Sequence, residues 1–131
     1  MVFADTNIVV YAYGVDPAKL APARAIVNAS PVISTQVINE FHNVARRKLG
    51  LDIATRHRVV TDLLQSCRVL AVDRAIAIAA MQIEARYQVS YWDALILAAA
   101  LASGCDTLYS EDLQDGQTFE NQLTVRNPFT G

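Results

Sequence analysis

The chain of 131 residues carries 11 basic and 13 acidic side chains, for a formal charge of −2, and 53% of its residues are hydrophobic against 18% charged. That length and core fraction exclude wholesale disorder and suit one compact domain, so 1–131 is read as a single domain. A pI near 5.6 excludes a general basic coat, so any footprint for nucleic-acid phosphates must be local.

In chain order, the run Val2-Phe3-Ala4 predicts a strand ended by Asp5. Helical spacing follows over 17–29, then a strand at 32–33. A second helix is predicted over 35–49, with Ser34 or Thr35 as its cap, Arg46, Arg47 and Lys48 in its last turn and Gly50 at its end. Segment 52–66 reads as a third helix, 68–72 as a strand, and 73–87 and 91–103 as two further, alanine-rich helices. Strands are predicted at 107–109 and 123–125. Short strands alternating with helices favour a parallel sheet covered on both faces, an α/β domain of three layers.

The longest apolar helical run, 94–102, is far short of the roughly 20 residues that a bilayer span needs, so no membrane association is expected. The opening Met1-Val2-Phe3-Ala4-Asp5 has the features of neither a secretory signal nor a transit peptide. Cys67 and Cys105 lie far apart without metal-ligand spacing and read as buried free thiols of a reducing cytoplasm.

In an open parallel sheet, ligands bind beyond the carboxyl ends of the strands, which gives weight to polar residues standing just after a strand. Asp5 follows the first strand, and Asp112, with Glu111 and Asp115 nearby, follows the fourth through Ser110. Asp93 opens an apolar helix, and Glu40 lies about one and a half turns into the helix that follows the second strand. Each acid also has a purely structural explanation. Asp5 suits a turn or helix cap, Asp93 the acid of a capping box with Ser90, and Glu111 and Asp112 the first turn of a helix, while Glu40 suits a solvated face. Gln36, Glu40, Asn43 and Arg47 share one polar stripe, which faces either solvent or a site.

Taken jointly, four carboxylates brought to one edge repel one another unless cations sit among them. An oxygen-only donor set without His or Cys selects Mg²⁺ or Mn²⁺ over Zn²⁺, and such ions bridge phosphates, which suggests metal-assisted hydrolysis of a phosphodiester. The local basic footprint is also present. From Arg46 to Arg68 there are six basic residues (Arg46, Arg47, Lys48, Arg56, Arg58, Arg68) and two acids (Asp52, Asp62), or 6 − 2 = +4, leaving −6 on the rest of the chain. This stretch is either an arm for backbone phosphates or a solvated helix pair. His42 lies two residues beyond Glu40, about 200° around a helix, and so is expected to face away from the acids.

The order Asp5-Thr6-Asn7, Asn39-Glu40-Phe41, Tyr91-Trp92-Asp93-Ala94 and Ser110-Glu111-Asp112 resembles the PIN domain over essentially the whole chain, and more narrowly the VapC-type toxin ribonucleases of bacterial toxin–antitoxin pairs. The resemblance implies a Rossmann-like α/β/α fold with a mostly parallel sheet and a Mg²⁺- or Mn²⁺-dependent endoribonuclease. Matched residue by residue, it assigns Asp5, Glu40, Asp93 and Asp112 to catalysis and metal binding. Asn7 and Ser110 become polar supports of those acids, and the basic arm read from the local charge, with Arg46, Arg47 and Lys48, is then expected to hold RNA. It also implies a cognate antitoxin and a homodimer. The chain departs from the family pattern after Asp112, where Leu113 and Gln114 precede Asp115, so Asp115 is left outside the acidic set.

Rival classes lack their signatures. A receiver-like phosphorylation domain needs a lysine after its last strand, and the lysines here are Lys19 and Lys48. A nucleotide-binding Rossmann domain needs a glycine-rich phosphate loop, and neither GxGxxG nor GxxxxGK[ST] occurs. The competing reading is a PIN-like module that binds RNA or protein without cutting, which an incomplete metal cluster would favour.

Overall fold

A computed structural model describes residues 1–130. The elements are β1 (Val2–Ala4), α1 (Thr6–Ala12), α2 (Pro17–Asn28), β2 (Val32–Ser34), α3 (Thr35–Arg47), α4 (Ile53–Ser66), β3 (Arg68–Leu70), α5 (Arg74–Tyr87), α6 (Tyr91–Ala102), β4 (Thr107–Tyr109), β5 (Thr118–Phe119) and β6 (Leu123–Arg126). The strands form one sheet in the order β3-β2-β1-β4-β6-β5, parallel throughout except for β5 against β6. All three residues of β2 are buried. Successive side chains of a strand point to opposite faces, so this central part of the sheet is covered on both sides, as the three-layer reading requires.

Helix starts follow from side-chain caps. Asp16, Ser34, Asp52, Asp73 and Ser90 each accept a hydrogen bond from a backbone N–H in the first turn of α2, α3, α4, α5 and α6. Each supplies a partner for a donor that has none within the helix. Asp52 and Asp73, expected as first helical residues, are thus the caps just outside. Gly50 does not end α3, which stops at Arg47; it lies in the turn beyond, at φ +63°, where the Leu51 N–H returns to the Ala45 carbonyl at 3.2 Å.

Two elements escape the sequence reading. The first is α1, only seven residues long and rich in β-branched side chains that carry no helical preference. Packing makes it a helix, since Ile8, Val9 and Ala12 are buried and α1 lies against α2 and α3. The second is β5, joined to β6 by a turn in which Glu120 and Asn121 both take positive φ, 54° each. Such hairpin turns usually announce themselves through glycine, and none stands there. Conversely, no helix follows β4, so the first-turn explanation of Glu111 and Asp112 is overturned: residues 110–115 form a loop.

The core gathers Phe3, Ile33, Phe41, Leu97, Leu108 and Val125 around the sheet, each fully buried. In α6 every residue from Ala94 to Ala100 is buried, and the small alanines let it pack closely against α5 and the sheet. Cys67 and Cys105 are buried free thiols. No helix among the described residues is long and apolar enough to cross a membrane.

Candidate active site

The chain runs outward from β1 through β2 to β3, then returns to place β4 on the other side of β1. At that reversal the connections leaving β1 and β4 diverge and open a crevice at their carboxyl ends, the general location of ligand sites in such sheets. Asp5 leaves β1 there, and Ser110-Glu111-Asp112 leaves β4 there. Glu40 comes from α3, directly continuous with β2, and Asp93 from the first turn of α6.

Hydrogen bonds tie three of these acids together. Asp5, 5% exposed, caps α1: one carboxylate oxygen accepts the Thr6 N–H at 2.7 Å and the other accepts the Ser110 hydroxyl at 2.8 Å. Ser110, wholly buried, also accepts the Asp112 N–H at 3.1 Å, so one hydroxyl joins β1 to the loop that carries Asp112. The Thr6 hydroxyl donates to Glu40 at 3.0 Å. Asn7 donates its amide N–H to the Asp112 carboxylate at 3.1 Å and accepts the Glu111 N–H at 3.4 Å. The capping role foreseen for Asp5 is real, and the same carboxylate nevertheless sits at the centre of this network.

Asp93 stands apart from these bonds. Its N–H is held by the Ser90 cap at 3.1 Å, and its side chain is half-buried. Its link to the other acids is electrostatic, since Asp112 pushes its pKa upward.

The charge balance is unusual. Burial raises the Asp5 carboxyl to about 7 against the bonds from Ser110 and Thr6, with repulsion from Asp112 and Glu40 adding to the rise. Burial likewise raises Asp93, opposed by Ser90 and assisted by Asp112. Among the described residues the ion pairs are Lys19–Glu111 and Arg86–Glu120, and none involves Asp5, Glu40, Asp93 or Asp112. No group of three or more His, Cys, Asp or Glu side chains among the described residues is gathered tightly enough to enclose a metal ion.

Two hollows adjoin at Glu40. One, of about 360 Å³, is lined by Thr6, Asn7, Tyr11, Glu40, Lys48, Glu111 and Asp112 among others. The other, of about 320 Å³, lies between Gln36, Asn39, Glu40 and Trp92. The polar stripe on α3 therefore faces this edge at its start, where Gln36 and Glu40 sit, and solvent at its end, where Asn43 and Arg47 are exposed.

Of the basic residues, Lys48 reaches the first hollow, while Arg46 and Arg47 are exposed in the last turn of α3 and do not line it. Arg68 does not belong to the arm. It opens β3, at the amino end of the sheet, and donates to the Ser103 carbonyl at 3.4 Å. His42 faces α4, its ring 5.9 Å from that of His57. Asp115 accepts the Asn127 N–H at 2.9 Å, a bond that ties the loop after β4 to the segment just beyond β6.

Sequence reasoning missed a cluster beside the acids. Lys19 donates to Glu111 at 2.7 Å and to the Tyr11 hydroxyl at 3.0 Å, and that hydroxyl donates to the other Glu111 oxygen. Burial would raise Glu111, but the bonds from Lys19 and Tyr11 outweigh it and hold its pKa below the ordinary value. Nothing in the sequence pairs residues so distant. Thr6 was equally unremarked, although its place in Asp5-Thr6-Asn7 was a usable signal.

The family model of the PIN domain matches residues 2–114. No curated protein sequence matches significantly. Among solved structures, a toxin–antitoxin complex from Klebsiella pneumoniae is 20% identical at a TM-score of 0.74, covering 98% of each chain. DNA-bound VapBC from Salmonella typhimurium is 21% identical at 0.70, covering 97% of each. Mycobacterium tuberculosis VapC20, a toxin cleaving the sarcin–ricin loop, is 20% identical at 0.66, covering 84% of this chain and 88% of its own. With the matching family model over most of its length and the same sheet and helix arrangement, the chain belongs to the PIN domain family.

Proposed function

We propose that the protein is a metal-dependent endoribonuclease, the toxin of a type II toxin–antitoxin pair. The carrying observation is the set of carboxylates without a cation, with Asp5 buried and raised to about 7 by burial and by its acidic neighbours. A divalent ion fits this donor set: all donors are oxygens, and the repulsion vanishes when positive charge enters. Mg²⁺ dehydrates reluctantly and keeps several waters, so acids that form no tight three-acid group still suit a hydrated ion reached in part through its waters.

In this reading Asp5, Asp93 and Asp112 hold Mg²⁺ or Mn²⁺, and Glu40 does so directly or through water. The ion supplies charge for the phosphate and acidifies water. Ser110 and Thr6 hold the Asp5 carboxylate in place, and Thr6 also orients Glu40. Asn7 turns Asp112 toward the hollow, and Lys48 at its rim attracts a backbone phosphate, with Arg46 and Arg47 extending the positive surface. Positioning the scissile phosphate against these fixed groups supplies the orientation that an in-line attack needs.

The partners in this reading are RNA, a cognate antitoxin and a second copy of the chain. Similar solved structures include toxin–antitoxin complexes, and α5 exposes Ile78 and Met81 on one face for a dimer contact. One observation favours a second reading, a PIN module that binds without cutting: the acids are not drawn into a closed cluster.

The deciding experiment is cleavage of total cellular RNA by the purified protein, freed of any co-purified antitoxin, with Mg²⁺ or Mn²⁺, beside EDTA and the Asp5→Asn variant. Cutting that needs the metal and is lost in the variant supports the nuclease. A folded protein that leaves RNA intact under every condition supports the binding module.

A further inference from the structure

The second hollow carries a feature that neither the fold nor the acids explain. Trp92 is 67% exposed although Ala94 to Ala100 in the same helix are all buried, and it directly precedes Asp93. Its position is anchored rather than loose, because Gln36 donates its amide N–H to the Trp92 carbonyl at 3.2 Å. That bond identifies the nitrogen end of the Gln36 amide, leaving Oε1 as a buried acceptor without a protein partner.

The lining has a definite chemistry. Val72 and Leu95 make it partly apolar, Asn39 offers an exposed amide with both donors and an acceptor, and Glu40 closes the side toward the acids. No basic residue lines it, whereas Lys48 lines the adjoining hollow across Glu40. A phosphate therefore belongs beside Lys48, and a flat, uncharged group with hydrogen-bonding edges belongs beside Trp92.

We propose that this hollow is a nucleobase subsite for single-stranded RNA, in which a base stacks on the Trp92 indole and presents its edge to Asn39. The proposal rests on the ribonuclease reading in that the same strand passes the acids. Stacking of bases on exposed aromatic rings is a general source of single-strand affinity, and an amide beside the stack supplies the base preference that stacking alone lacks.

Trp92 is the only tryptophan in the chain, so its fluorescence reports this hollow alone. The full-length protein is titrated with RNA octamers of A, C, G or U, with Ca²⁺ replacing Mg²⁺ and octamer integrity checked afterwards. Binding is read in parallel by anisotropy of a labelled octamer. The expected result is saturable quenching with different affinities among the four bases. Trp92→Ala weakens binding by about tenfold or more, Trp92→Phe restores part of it, and Asn39→Ala narrows the spread between bases. Octamers that bind without quenching, and equally well to Trp92→Ala, overturn the subsite while leaving the nuclease untouched. Quenching in a protein that cuts no RNA upholds the subsite and overturns the nuclease. A Trp92 signal that answers only to a protein partner overturns the subsite, and loss of both binding and cutting overturns both readings.

Discussion

Glu111 and Asp112 are adjacent carboxylates at the end of the same strand, yet their surroundings differ in kind. Glu111 has a cation, Lys19, and a hydroxyl, Tyr11, on its two oxygens, and Lys19 also lies over the Tyr11 ring, 4.3 Å from its centroid. Asp112 has only the amide of Asn7, and it faces Asp5 and Asp93 as like charges. One carboxylate is electrically complete within the protein, and the other stands among like charges with no ion-pair partner among the described residues. Local charge balance, more than the number of acids in a loop, separates a structural carboxylate from a candidate ligand.

The largest expected effect tests that separation directly. Asp5→Asn and Asp112→Asn should each lower metal-dependent RNA cleavage by about 10²–10⁴-fold, the scale of losing several kcal/mol of charge stabilisation. Glu111→Gln should cost less than about tenfold in the same initial-rate assay on a labelled RNA. Equal losses at positions 111 and 112 would erase the distinction.

Next in size is a pH effect on the metal-free protein. The Asp5 carboxyl is about 7 when folded against an ordinary 3.8, so the folded chain binds more protons than the unfolded chain between these values. Stability contributed by this group therefore falls as pH rises from about 4 to about 7, by on the order of a few kcal/mol, and stays low above that window. Thermal unfolding at pH 5 and pH 8 measures it. The decline should flatten in Asp5→Asn, and Mg²⁺ should raise the unfolding temperature of the unaltered protein more at pH 8 than at pH 5.

A smaller effect divides the basic residues. Lys48→Ala should weaken binding of single-stranded RNA several-fold and reduce the slope of log affinity against log salt by about 0.7, the value for one neutralised phosphate. Arg68→Ala, at the opposite end of the sheet, should leave the slope unchanged.

The smallest concerns the balanced corner itself. Lys19→Ala removes a cation from a pair that is still about a quarter accessible to solvent, and such partly solvated pairs contribute modestly, so the unfolding temperature should fall by less than about 3 °C. The Glu111 carboxyl should titrate at higher pH by NMR once its strongest partners are disrupted. A large loss of cleavage in Lys19→Ala would mean that this corner also positions Asp112.

Much of the molecule was legible before any coordinates. Apolar runs of the right length located β1, β2, β3, β4 and β6, and polar caps such as Ser34 and Ser90 stand where helices begin, because these signals are local. The missed elements failed for local reasons too. Residues Thr6–Ala12 lack a long amphipathic repeat, and the turn at Glu120 and Asn121 uses positive φ without glycine.

By itself the sequence determined an alternating α/β pattern and an ordered series of acids at strand and helix ends, since hydrophobic periodicity and residue order need no third dimension. It left open which acid is neutralised, because Lys19 and Glu111 are 92 residues apart in the chain, and Ser110 reaches Asp5 across 105. Only the tertiary structure decided those partnerships. The reversal of strand order around β1 brings distant loops to one crevice, and a charge is compensated by what lies within a few ångströms of it, whatever the separation along the chain.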